Sequence, residues 1–383
     1  MKHYLDDDPI TPPKAVEFEL TFFGPGLGES VVVHLPGVGW GVIDSCEFGT
    51  ANQRIVPPLK YLVSQNVTKL AFLVLTHPHA DHYKGMEKIV DHYLGKIDRV
   101  CRYAGDSVRE LRTYLVNKGQ KGIGGGAAAL AKVFIALKKA IESGADGRHL
   151  GAMTQVIPRM KATEADTEFE VEVLSLSPSS EDEDTYADAL RKAFPERNKP
   201  LREIPDKDHN LIATAIRISV GNTVAILGSD VEKGNSRSSG WRGIVGSLDV
   251  PELSVQALKV PHHGSSNAHY QKAWDKHCSL GKITSIVTPY ARGTHPLPSK
   301  EDIERIGIYS KDVGLTSHVS YLRPLEVYGR TVARRLPSKW KVVQSPKECG
   351  MITIRYDLEG NKTLHKAFPP ASWLKIPEMP LLT

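Results

Sequence analysis

The sequence predicts an α/β fold, an αββα sandwich in which two mixed sheets pack face to face and helices and insertions lie outside. Three observations predict it. Apolar and β-branched runs recur between Gly- and Pro-rich turns in the order strands, helix, strands, helix. One run, KLAFLVLT at 69–76, is continuously apolar, the mark of a strand buried on both faces. Hydrophobic residues make up 40% of 383 and charged ones 24%, which suits a globular core and excludes disorder.

At about 150 residues per domain the length suggests two domains. The two halves, about 15–165 and 166–360, nevertheless read as one compact domain built around a shared core. Lys and Arg exceed Asp and Glu by 49 − 44 = +5, which permits a polyanionic substrate without requiring one. The four cysteines, Cys46, Cys101, Cys278 and Cys349, form no CxxC pair, which excludes a disulfide-dense scaffold and a zinc ribbon. The start, MKHYLDDDP, has no apolar signal region, and no run approaches the roughly 20 residues of a membrane helix. A cytoplasmic protein with no membrane contact is the expectation.

Residues 1–14 read as a loose N-terminal arm ending in Pro12-Pro13. VEFELTF (16–22), SVVVHL (30–35) and WGVIDS (40–45) read as strands, joined by GPGLGE and PGVG turns. After the strand at 69–76, a helix is expected from about 84, with Met86, Ile89, Val90 and Tyr93 at helical spacing. An insert is expected over about 104–160. Within it, AAALAKVFIALKKAIE carries Leu130, Val133, Phe134, Leu137 and Ile141 on one face, the pattern of a covering helix. FEVEVLSL (169–176) is a strand running into an acidic loop, SPSSEDED. IATAIRISV and TVAILGS form a hairpin through Gly221-Asn222. VQALKVP, KITSIVTP, WKVVQS (340–345) and MITIRYD complete the strands, with a second insert over about 305–340 and a loosely docked tail, 361–383.

Directly after the buried strand come His77, His79, Asp81 and His82, within HPHADH. Three imidazoles and a carboxylate in six residues exceed what a turn needs for its own stability. Imidazole nitrogen with carboxylate oxygen suits zinc, iron or manganese rather than magnesium. His77 and His79, spaced i and i+2, can converge on one ion, leaving Asp81 and His82 for a second.

HxHxDH after an apolar strand resembles the signature of the metallo-β-lactamase fold hydrolases. Further segments resemble that superfamily in order: Asp230 ending TVAILGSD, at the place of an acid bridging two metals, and His262 and His263 in LKVPHHGSS. The doubled HHGS resembles one branch, the hydrolase domain of the DNA-uptake channel ComEC and its free-standing relatives. Asn210 in DHNLIATAIRI, the strand–Pro step LSLSPSS, Thr294-His295-Pro296 and CGMITIRYD also resemble that branch, over about residues 17–358. Ala213 stands where the branch carries a Ser.

The resemblance implies a metal-dependent hydrolase with two divalent transition-metal ions, zinc ahead of manganese. His77, His79 and His262 would hold the first, Asp81 and His82 the second, and Asp230 would bridge, although which of His262 and His263 binds metal stays open. Among other histidines, His92 falls in the expected helix and His149 in the insert. His209 lies beside Asn210 and is a candidate ligand or a support for one. Asp44, ending its strand, would hydrogen-bond a ligand histidine.

A metal-activated hydroxide would attack a phosphodiester, with Asp81, His263 and His295 as catalytic groups. His295 is equally a candidate to finish the second metal site. Ser265 and Asn210 would contact substrate, as would Arg334 and Lys339 in the basic run RTVARRLPSKWK (330–341), where Trp340 can stack on a base. A nuclease acting on DNA or RNA is the first expectation. A small-molecule phosphodiesterase, a lactone or β-lactam hydrolase, and a non-catalytic metal-binding scaffold are the alternatives.

Overall fold

The computed structural model describes residues 10–50, 52–103, 125–193, 206–291, 296–319 and 348–374. The strands are β1 (Phe18–Gly24), β2 (Ser30–Leu35), β3 (Gly39–Ile43), β4 (Phe48–Thr50), β5 (Gln53–Ile55), β6 (Leu70–Leu75), β7 (Arg99–Tyr103), β8 (Asp146–Leu150) and β9 (Gln155–Glu164). They continue with β10 (Thr167–Ser175), β11 (Ile216–Val220), β12 (Thr223–Leu227), β13 (Ala257–Lys259), β14 (Ile283–Val287), β15 (Ser310–Leu315), β16 (Gly350–Tyr356), β17 (Lys362–Phe368) and β18 (Ser372–Leu374). One eight-stranded sheet runs β17-β16-β1-β2-β3-β6-β7-β8 and the other β18-β15-β14-β13-β12-β11-β10-β9, while β4 and β5 pair apart. Both are mixed: β3, β6, β7 and β8 run parallel in the first, and β12 to β15 in the second.

Three apolar layers follow from the strand alternation. Between the sheets, Phe18, Leu20, Phe22, Phe72 and Val74 meet Val171, Val173, Ile216, Ile218 and Leu227. The opposite face of the first sheet, with Leu73 and Leu75, is covered by helices α1 (Pro57–Ser64), α2 (Ala80–Tyr83), α3 (Met86–His92) and α4 (Gly125–Glu142). The outer face of the second sheet, with Ile226, Leu258 and Val287, is covered by α7 (Gly240–Gly246), α8 (Gln271–His277) and α9 (Lys300–Tyr309), which follow α5 (Ser180–Ala193) and α6 (Asp206–His209) in the chain. β6 is buried along its whole length because it feeds two of these layers. Gly41 in β3 faces the Phe72 ring so closely that a Cβ would lie 2.0 Å from it.

The expected α/β fold of two mixed sheets with outer helices is present, but several segments sit deeper in it than expected. The described part of the 104–160 insert is framework. α4 lays Leu130, Val133, Phe134 and Leu137 against the first sheet, β8 extends that sheet beside β7, and β9 edges the second. Tail residues 362–374 form β17 and β18, which pair with β16 and β15. Of the arm, Ile10 is buried, its carbonyl accepts from Gln65 Nε2, and Arg355 bonds the Thr11 carbonyl. The acidic stretch after β10 is not a loop but the first turn of α5. Ser179 and Asp182 cap each other there, and Glu181, Asp182 and Glu183 favour the positive helix end. From the second insert, α9 and β15 belong to the second sheet layer, while the expected strand 340–345 and the basic run lie outside the described residues. Among the described residues, no helix is long and apolar enough to cross a membrane.

Candidate metal centre

The HPHADH segment leaves the buried end of β6, so the strand itself delivers His77 into the interior. His79 stands at the N-terminal end of α2, whose single turn carries Asp81 and His82. Asp230 follows β12, and His262 and His263 follow β13. The parallel alignment of β12 and β13 brings these two turns to one sheet edge, opposite the end of β6. His262 and His263 both adopt left-handed backbone angles, φ 48° and 54°, uncommon for residues with a Cβ. Such strain persists only where surrounding bonds over-determine it. Here His262 N–H donates to Ser229 O (2.8 Å), Ser265 N–H to His262 O (2.9 Å), and Arg305 to Gly264 O (2.8 Å).

Among the described residues two donor groups result, sharing Asp230. His77, His79 and Asp230 form one; Glu29, His82, Asp230 and His263 form the other, with donor atoms within 4.8 Å of one another in each. His77 Nε2 lies 3.0 Å from His79 Nδ1 and 3.7 Å from Asp230 Oδ2. His82 Nε2 lies 3.4 Å from Asp230 Oδ1, and His263 Nε2 lies 3.6 Å from Asp230 Oδ2 and 3.2 Å from Asp81 Oδ2. Donors each about 2 Å from a tetrahedral ion stand about 3.3 Å apart. The spacing fits an ion between them.

The tautomers agree. His263 Nδ1–H donates to the Thr288 carbonyl (2.8 Å), which can only accept, so in the neutral ring, the form a metal ion would bind, Nε2 carries the lone pair. His82 Nδ1 bonds the Asp44 carboxylate at 2.7 Å, again leaving Nε2 free. Thr76 donates its hydroxyl to Asp44 (2.7 Å), so its oxygen accepts from His77 Nδ1 (3.0 Å). Asp44 therefore orients His82 directly and His77 through Thr76. Among the described residues, His82 Nε2 and Asp230 Oδ1 are buried without hydrogen-bond partners although they face each other. Orphaned buried polar atoms of this kind signal a missing partner.

Burial works against charge throughout the pocket, and the neighbours decide the outcome. Burial lowers His82, but Asp230, Glu29, Asp44 and Asp81 together raise it well above the ordinary histidine value. His263 is raised against burial by Asp230, Asp81 and Glu29. Burial raises Asp230, yet His263, His82 and His262 bring it well below the ordinary carboxylate value, and His82 and His263 do the same for Asp81. Burial, then His82 and His79, lower His77 and keep it neutral. Burial lifts Asp44, opposed by His82 and Thr76. This is a pocket in which carboxylates outnumber the positive groups that could balance them.

Of the remaining expected residues, His209 bonds the buried Tyr186 hydroxyl through Nδ1 (2.9 Å) and sets its ring edge-on to His79, centroids 5.4 Å apart. Asn210 is buried, its Nδ2 donates to Glu232 (3.0 Å), and its Oδ1 has no partner among the described residues. His262 Nδ1 faces the same Glu232 at 3.6 Å, outside both donor groups, whereas His263 lies inside one. Ser265 sits half-buried on the same turn. His92 ends α3 and His149 lies exposed on β8, within neither group. His295, Arg334 and Lys339 lie outside the described residues. Sequence reasoning misses Glu29 and Glu232: nothing in GPGLGES marks Glu29 as facing a histidine turn far along the chain, and only proximity to Asp230 could signal Glu232.

Solved structures that resemble the chain include the metallo-β-lactamase fold protein YhfI from Bacillus subtilis, 11% identical over 78% of this chain and 95% of that one, TM-score 0.34. A diphosphatase from the PhnP family is 12% identical over 71% and 86%, TM-score 0.34. Zn(2+)-bound PqqB from Methylobacterium extorquens is 9% identical over 61% and 59%, TM-score 0.28. No protein-family model and no curated protein matches. Likeness this weak carries no weight for the chemistry, which rests on the side chains above.

Proposed function

We propose that this chain is a hydrolase that cleaves phosphodiester bonds, with polynucleotides as the first substrate class, using two divalent transition-metal ions held on either side of Asp230. The supporting observation is the pair of donor groups sharing that carboxylate, together with imidazoles whose Nδ1 atoms are already engaged. Glu29, Asp44, Asp81 and Asp230 cluster here; among the described residues one lysine is buried, Lys259, which pairs with Glu29, and the excess negative charge suits dications. His77, His79 and Asp230 would hold the first ion, with His209 or His262 completing it. Asp81, His82, His263 and Asp230 would hold the second. Nitrogen and carboxylate donors favour zinc, then manganese. When bound, such ions polarise a phosphoryl oxygen and lower the pKa of water.

The chain's own groups supply the rest. Asp230 fixes the separation of the two donor groups, while Asp44 and the Thr288 carbonyl hold two imidazoles in the tautomer that presents Nε2. With His263 among the donors, and with His209 completing the first ion, the proton-handling role expected of His263 passes to His262, which lies nearer solvent and faces Glu232. Ser265, through its half-buried hydroxyl, and Asn210, whose buried Oδ1 has no partner among the described residues, stay in the proposal as substrate contacts. Arg334, Lys339 and His295 stay in the proposal as contacts to phosphates. A small diester is the second reading, favoured by Glu232: a partly exposed carboxylate at the mouth repels a further phosphate.

Elemental analysis of chelator-free protein should find about two transition-metal ions per chain. A panel of single- and double-stranded DNA, RNA, cyclic nucleotides and bis-nitrophenyl phosphate then separates the two readings. Asp230→Ala should lose both ions and diester hydrolysis. Retention of both ions and of wild-type turnover by that variant would sink the assignment, as would the absence of hydrolysis across the panel.

A further inference from the structure

Lys259 ends β13 with its side chain 1% exposed, among the largest fully buried side chains of the described residues. A lysine is almost never buried without a partner. Its Nζ lies 2.5 Å from Glu29 Oε1 and donates to the Ser229 carbonyl at 3.1 Å. A cavity of ≈ 10 Å³ bounded by Lys259, Glu29, Asp44, Thr76 and Ser229 is too small for more than about one water. The ammonium must therefore be met by protein groups.

By distance alone Glu29 belongs to the second donor group. Its orientation says otherwise. It faces His82 and His263 from their Nδ1 sides, at 3.7 and 3.5 Å, whereas Asp230 faces both from Nε2. Lys259 occupies its Oε1, and its Oε2 accepts the Thr288 hydroxyl. Its backbone N–H donates to Asp81 O (2.9 Å), an approach that Gly28 permits, since a Cβ there would lie 2.8 Å from that oxygen. The Ser229 carbonyl that receives Lys259 also receives His262 N–H, from a residue at φ 44° next to Asp230.

We infer that Lys259 is a positioning residue of the metal centre: its ammonium holds Glu29 behind the ligand imidazoles and ties the Asp230 turn to the Asp81–His82 turn. The inference rests on the metal-centre reading above. Lys259 touches neither ion nor substrate; it sets the spacing across which the second donor group closes.

The test compares Lys259→Met, Glu29→Gln and the double variant by urea unfolding, chelator competition for each ion, the visible spectrum of the cobalt-substituted protein and steady-state kinetics. Lys259→Met should unfold at lower urea, because it strands a buried carboxylate. The double variant removes both charges at similar volume and should recover that stability. It should still bind the second ion about 10- to 100-fold more weakly, with a changed cobalt spectrum and a lower kcat at unaltered KM. If it instead matches the wild type in affinity and spectrum, the pair is only structural and the inference fails. Should Lys259→Met or the double variant not fold, Glu29→Gln keeps the shape but replaces the ion pair that holds residue 29 by a weaker neutral-acceptor bond. The same metal measurements then apply to it, and wild-type affinity and spectrum there overturn the inference in the same way. A wild type that binds no second ion overturns the metal-centre reading itself, and the positioning role with it.

Discussion

Asp44→Asn separates fold from metal chemistry at a single atom. Asp44 is 2% exposed at φ 59°, a backbone region that Asn tolerates, so the turn itself should survive. Its carboxylate accepts from Thr76 N–H (2.8 Å), the Thr76 hydroxyl (2.7 Å) and His82 Nδ1 (2.7 Å). An amide has one accepting oxygen, which the Thr76 N–H retains, and its NH₂ then faces His82. Nδ1 must become an acceptor, and the ring proton moves to Nε2, the atom that faces Asp230. The cost in stability is the difference between charge-assisted and neutral bonds, about 1–2 kcal/mol. The cost in metal binding is larger, because a protonated Nε2 has no lone pair to give. The second ion should bind about 10- to 100-fold more weakly, or roughly 1.4–2.7 kcal/mol. Urea unfolding reads the first quantity, chelator competition the second, and the ring ¹⁵N shifts of His82 the tautomer. Wild-type affinity for both ions in a folded Asp44→Asn protein would refute the tautomer reasoning.

Other groups give expectations away from the metals. His277 donates Nδ1–H to Leu253 O (2.9 Å), and burial holds its pKa down to about 4 from an ordinary 6.5. Its contribution is complete above pH 6.5. As pH falls towards 4 the unfolded chain takes up a proton that the folded one refuses, and up to about 3 kcal/mol is lost. His277→Gln should flatten the fall of stability with pH over that window, and an identical slope would contradict the burial argument. Arg355 bonds Glu19 at 2.7 Å between two side chains 6% and 0% exposed. Arg355→Leu should cost about 3 kcal/mol in urea unfolding by stranding Glu19, whereas breaking the exposed pair Arg159–Glu170 should leave the midpoint in place. Gly41→Ala should lower stability by about 1–3 kcal/mol, since its methyl would enter the Phe72 ring; an unchanged midpoint would mean that the sheets can part at no cost.

Local chemistry makes part of this molecule legible in its sequence. Burial on both faces marks β6, period-two alternation and Gly221-Asn222 mark the β11–β12 hairpin, and an apolar stripe marks α4. The HPHADH segment announces a candidate metal site because its donors are neighbours in the chain. The capping pair Ser179–Asp182 is equally local, and its acidic run reads as a loop only when composition is weighed before helix-end electrostatics. The tertiary structure decided what depends on distant segments meeting. Whether 146–164 and 362–374 are appendages or strands turns on partners elsewhere in the sheets, β7 and β10 for the first and β16 and β15 for the second. Which of two adjacent histidines enters the donor group turns on left-handed backbone angles and on the Thr288 carbonyl 25 residues away. Glu29 and Lys259 are separated by most of the chain, and no periodicity in either segment encodes their pairing. Strand propensity and ligand clustering are written within a few residues, whereas a buried charge finds its partner only when the two sheets close.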